Sequence, residues 1–112
     1  MGDLEMNREK ISKTLNEFLT RNKDYGIEIF LKSTNSESII GRLLMPISRN
    51  YDHKYKENRF NMAWNGGDNL FNIPYDEVLA CYEEKDEYGT QTVNVIMKSG
   101  FMIELECSGT LV

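Results

Sequence analysis

Between Arg49 and Phe60 the chain interleaves four cations, Arg49, Lys54, Lys56 and Arg59, with three aromatic residues, Tyr51, Tyr55 and Phe60. Rings stack on bases or fill pockets in a protein partner, and cations neutralise phosphates or pair with carboxylates. The stretch lacks apolar periodicity and reads as a long polar loop, for which a solvated connection is the simplest account. As a binding site it rests on Arg49, Tyr51, Lys54, Tyr55, Lys56 and Arg59. Asp52 and Glu57 dilute its positive charge, which places protein contact ahead of single-stranded nucleic acid.

Other chemistry is sparse. His53 is the sole histidine and lies beside Asp52 in the same polar stretch, as a solvated residue does. No Ser occupies a GxSxG elbow. Cys81 and Cys107 have no CxxC or Cys/His spacing, so no zinc site is expected, and both read as reduced, packed thiols. The run Tyr82–Glu87, "YEEKDE", concentrates carboxylates of the kind that hold Mg²⁺ or transfer protons. Lys85 sits among them and the run is rich in turn residues, so it reads as a solvated loop. No catalytic constellation, metal site or cofactor site emerges, and the chain is expected not to be an enzyme.

"AWNGGDNLF" at Ala63–Phe71 raises a phosphate-loop question. A phosphate-binding Gly loop opens a helix whose N–H groups face the anion. Here Leu70, Phe71, Asn72, Ile73 and Pro74 follow, which are strand-like. Asn65–Asp68 is therefore expected to be a hairpin turn, with positive φ at Gly66 or Gly67 and no bound anion. Trp64 reads as a core or rim aromatic.

The 112 residues suit one domain, with a flexible stretch over residues 1–6 and a single barrel-like α+β domain over 7–112. A formal net charge of -5 argues against broad duplex binding. The first residues carry no apolar signal region, and sparse cysteine fits a cytoplasmic protein.

The elements follow from period. Ile11, Leu15, Phe18 and Leu19 form one stripe and predict a helix over about Asn7–Asn22. After Gly26 the period becomes two. Ile27, Ile29 and Leu31 share one face of a first strand, with Glu28 and Phe30 on the other. "SIIGRLLMPIS" is a second strand, in which Gly41 marks a bulge or bend. "FNMAW" is a third, and "LFNIPYDEVLACYEE" a fourth, broken near Pro74–Asp76. "TVNVIMKSGFMIELEC" is a hairpin turning at Ser99–Gly100, with Glu104 and Glu106 on its wet face. The apolar members Leu15, Phe18, Ile29, Leu31, Leu43, Val95, Ile103 and Leu105 are the expected core.

"IEIFLKS…IIGRLL", followed by the turn in "NIPYDEV", resembles the Sm-like family over roughly Ile27–Glu84. The shared features are an alternating strand ending in Leu-Lys, a turn, and an apolar-x-Gly-x-apolar strand. The family's RNA-contacting residues have no counterpart here, because "MPISRNYDHKYK" and "IPYDEV" stand in their place. The resemblance therefore implies architecture alone, a bent antiparallel barrel with a helix across one end.

The expected fold is α+β: an N-terminal helix packed on a five- or six-stranded antiparallel, strongly bent sheet or small open barrel. The expected function is a non-catalytic module that binds a protein partner or self-associates. Two alternatives are a single-stranded RNA- or DNA-binding barrel using residues 49–59, and a small acidic phage-type inhibitor of a host nucleic-acid enzyme carrying Glu83–Glu87. Neither membrane contact nor a small-molecule cofactor is expected.

Overall fold

The structure, a computed structural model, describes residues 2–36, 38–46, 49–52, 58–64 and 69–107. The helix α1 spans Gly2–Arg21. Its stripe of Ile11, Leu15, Phe18 and Leu19 is buried, as the spacing predicts. The helix begins five residues before Asn7, through a run free of Pro in which Leu4, Glu5 and Met6 are good helix formers. Asn22 closes its end: the side-chain amide and the backbone N–H both donate to the Phe18 carbonyl, at 2.9 and 3.1 Å.

Eight strands follow among the described residues, five of them in one sheet, within the five or six expected of it: β1 Ile27–Ser33, β2 Ile39–Met45, β3 Arg49–Asp52, β4 Arg59–Trp64, β5 Asn69–Pro74, β6 Val78–Lys85, β7 Gln91–Met97 and β8 Phe101–Cys107. A single 3-10 turn, Tyr75–Glu77, separates β5 from β6 where Pro74 was expected to break the run. The strands form a five-stranded antiparallel open sheet in the order β2-β1-β8-β7-β6 and a three-stranded sheet β3-β4-β5. Among the described residues β2 and β6 pair on one side only and do not meet, so the ladder is open.

Two expectations need correction. The polar loop at 49–59 is partly strand: Arg49–Asp52 forms β3, paired with β4 from Arg49 opposite Trp64 to Asp52 opposite Asn61. Backbone hydrogen bonds hold such a strand whatever its side chains, so apolar alternation is not required. The acidic run is also not a loop throughout, because Glu83, Glu84 and Lys85 complete β6. Asp86 organises the turn beyond it. Its carboxylate accepts from the N–H groups of Tyr88 and Thr90 at 2.9 and 2.8 Å, and Gly89 supplies the positive φ of 85°.

One core joins the elements. It combines the α1 stripe with Ile27, Ile29, Val93, Val95, Ile103 and Leu105 of the larger sheet and Phe60, Met62 and Ile73 of the smaller. Leu31 and Leu43, expected in the core, are partly buried against it. The fold class is α+β, one helix packed against a five-stranded antiparallel open sheet with further strands beside it. No helix among the described residues is long and apolar enough to cross a membrane.

Candidate interaction surface

Strand alternation gives the five-stranded sheet a second face, directed away from the core. The register arranges that face in three rows running across the strands. The first row is Ile39, Lys32, Met102, Ile96 and Ala80. The second is Arg42, Phe30, Glu104, Asn94 and Tyr82. The third is Leu44, Glu28, Glu106, Thr92 and Glu84. The first row is mostly apolar and the third mostly acidic.

The middle of the face is knitted by ion pairs. The Arg42 guanidinium donates to Glu28 at 2.6 and 2.7 Å, and Lys32 Nζ donates to Glu104 at 2.6 Å. Phe30 lies between these two cations, with Lys32 and Arg42 at 5.9 and 5.7 Å from its ring centre. Glu28 and Glu106 are direct cross-strand partners, and like charges in that position repel. Desolvation raises the Glu106 pKa above the ordinary carboxylate value, and Glu104, Glu28 and Asp86 add to the rise while Lys32 opposes it.

Both end strands are bulged. In β2 the register passes from Gly41 to Ile39 across Leu31 and Lys32, so Ile40 is the extra residue. This is the irregularity expected beside Gly41. In β6 it passes from Val78 to Ala80, leaving Leu79 extra. A bulge bends an edge strand and spoils it as a template for strand addition. Both extra residues are exposed, Ile40 at 55% and Leu79 at 68%.

A cleft of about 330 Å³ opens between α1 and β6, lined by Asn7, Lys10, Ile11 and Val78–Tyr82. Cys81 borders it, and burial pushes its thiol up to about 12, against a smaller downward pull from Lys10. A thiol that stays protonated is a poor nucleophile. Cys81 and Cys107 are both free thiols, as expected. Among the described residues no group of His, Cys, Asp or Glu is placed to hold a metal ion.

The expected site at 49–59 is only partly visible. Arg49 and Tyr51 belong to β3, where Tyr51 lies opposite Met62, and Arg59 opens β4 with an exposed side chain. Lys54, Tyr55 and Lys56 lie outside the described residues, as do His53 and Asn65–Asp68, where a hairpin turn is expected. The outer face was half legible beforehand. Alternation puts Glu28 and Phe30 on the second face of β1 and Glu104 and Glu106 on the polar face of β8, but nothing local joins β1 to β8.

Comparison with known proteins found no family model, no curated protein and no solved structure that matches this chain.

Proposed function

We propose that this chain is a cytoplasmic, non-catalytic module that binds a protein partner. The observation that carries this reading is the concentration of exposed large apolar residues at the two ends of the larger sheet. Ile39, Ile40 and Leu44 are exposed on β2, and Leu79 and Tyr82 on β6. Contiguous exposed apolar surface marks interaction sites more often than isolated residues do. The bulges in both end strands favour a partner that covers side chains over self-association by strand pairing.

The nucleic-acid reading has one observation in its favour, Phe30 flanked by two cations. Both cations are already engaged by carboxylates, and the net charge of -5 opposes a polyanion.

Capture from the native host tests the proposal. Wild-type protein should retain a specific protein partner. One variant replaces Tyr51, Lys54, Tyr55 and Lys56 by Ser, and a second replaces Ile40 and Leu79 by Gln. The variant that loses the partner while keeping its melting temperature identifies the surface. Retention of a single-stranded oligonucleotide instead, with binding that weakens steeply as salt rises, overturns the proposal.

A further inference from the structure

We propose that the outer face of the five-stranded sheet is a docking surface for a basic amphipathic helix of a protein partner. This rests on the interaction-module reading and gives the partner's contacting element a chemistry.

Four observations converge. First, the apolar row from Ile39 to Ala80 and the acidic row from Leu44 to Glu84 lie on the same face. Four residues of strand separate them, about 13 Å at the rise of a strand. An α-helix is roughly 10–12 Å across with its side chains, so a helix lying along the rows covers both. Five strands span about 19 Å, the length of roughly 13 helical residues.

Second, charge is unbalanced in one direction. The three rows hold four carboxylates, Glu28, Glu84, Glu104 and Glu106, against two cations, Lys32 and Arg42. Both cations are committed to Glu28 and Glu104, so Glu84 and Glu106 have no ion pair among the described residues.

Third, the arrangement works against folding. Glu106 stands opposite Glu28 in the ladder, a placement that disfavours a sheet; Arg42 offsets the Glu28 charge, but Glu106 has no ion pair of its own among the described residues. A local rule broken with only part of its cost offset points to a place where function sets the residue.

Fourth, Asn94 sits in the middle row between Glu104 and Tyr82 at only 4% exposure. Its amide offers donors and an acceptor at the centre of the face, which a docked polar side chain can address.

Titrating 15N-labelled full-length protein with a synthetic helix of about 18 residues tests this. The peptide carries Leu on one face and Lys on the other. A control of identical composition has its order scrambled to remove the stripe. Saturable shifts at Thr92, Asn94, Met102 and Glu106, absent with the control, are expected. The double variant Glu84→Lys, Glu106→Lys should weaken binding about tenfold or more at unchanged melting temperature. Ile39→Gln, which reverses no charge and lies in the apolar row, should weaken it separately.

Equal binding of the scrambled peptide, shifts confined to residues 49–59, or an unaltered Kd in the double variant would each overturn the proposal. So would tighter binding of a single-stranded oligonucleotide on the same face. If the double variant still retains the partner captured from the host, the docking proposal falls while the interaction-module reading stands.

Discussion

Arg8 of α1 holds Asp76 of the 3-10 turn by three hydrogen bonds, from Nε to Oδ1 at 3.3 Å and from Nη2 to Oδ1 and Oδ2 at 2.9 and 3.1 Å. The forked guanidinium matches the planar carboxylate. The pair ties the first half of the helix to the junction between the two sheets. Its side chains are 21% and 40% exposed, so solvent screens it. Arg8→Ala is expected to cost about 1 kcal/mol in urea unfolding, and Arg8→Lys should not restore it, because an ammonium lacks the fork.

Leu15 is the centre of the helix stripe and is fully buried. Leu15→Ala should destabilise the fold by about 2–5 kcal/mol, through lost transfer energy and the cavity left behind. Thr14→Ala, next to it on the exposed side, should change stability far less. Thr14 Oγ1 merely donates back to the Lys10 carbonyl at 2.9 Å. Equal losses at the two positions would mean that the stripe is not the buried face.

Cys81 gives a pH signature. Its thiol ionises at about 12 in the fold, against 9.0 for an unperturbed group. Below 9.0 both folded and unfolded chains keep the proton, and the group contributes no pH dependence. As pH rises above that value only the unfolded chain ionises, so stability is lost progressively toward about 12. Cys81→Ala should flatten the fall in melting temperature between pH 8.5 and about 10.5. Alkylation of native protein at pH 8 should reach Cys81 far more slowly than in urea, as followed by mass spectrometry.

Glu106 acts in the same sense in a lower pH window. Its folded pKa lies above the reference value of 4.5, so the folded state holds the proton more tightly than the unfolded one. Its ionisation therefore opposes folding at pH 7, and the opposition fades as pH falls through the folded value. Glu106→Gln should raise the melting temperature at pH 7, with the gain shrinking by about pH 4. A docked cationic helix should lower the Glu106 pKa, which side-chain carboxyl NMR reads directly.

Local periodicity made much of this fold legible. The α1 stripe, the alternation in β1, β4 and β8, the break at Pro74 and the turn before Phe101 each depend on a few neighbouring residues. Gly41 announced a bulge in its own strand. What stayed hidden is non-local. β3 is "RNYD", with no apolar alternation, and only its ladder to β4 makes it a strand. The outer face needs Glu28 brought beside Glu106, far apart in sequence, before the acidic row exists. Leu79 looked like an ordinary member of an apolar run, and only its failure to pair with β7 shows why it is exposed.

The position of β8 has a consequence for biosynthesis. It is the last of the described strands in chain order, yet it occupies the middle of the five-stranded sheet, between β1 and β7. While a ribosome is still producing Phe101–Cys107, the β1–β2 and β6–β7 hairpins have no shared neighbour. Each then shows an unpaired, apolar flank to solvent. Closure joins Ile27 to Cys107 and Ser33 to Phe101 only once β8 has been made. Such late, distant pairing slows folding and lengthens the time during which nascent hairpins can cross-pair. A stalled or nicked chain that stops before Phe101 should therefore yield two sticky half-sheets rather than a smaller version of this domain, and should be found bound to chaperones.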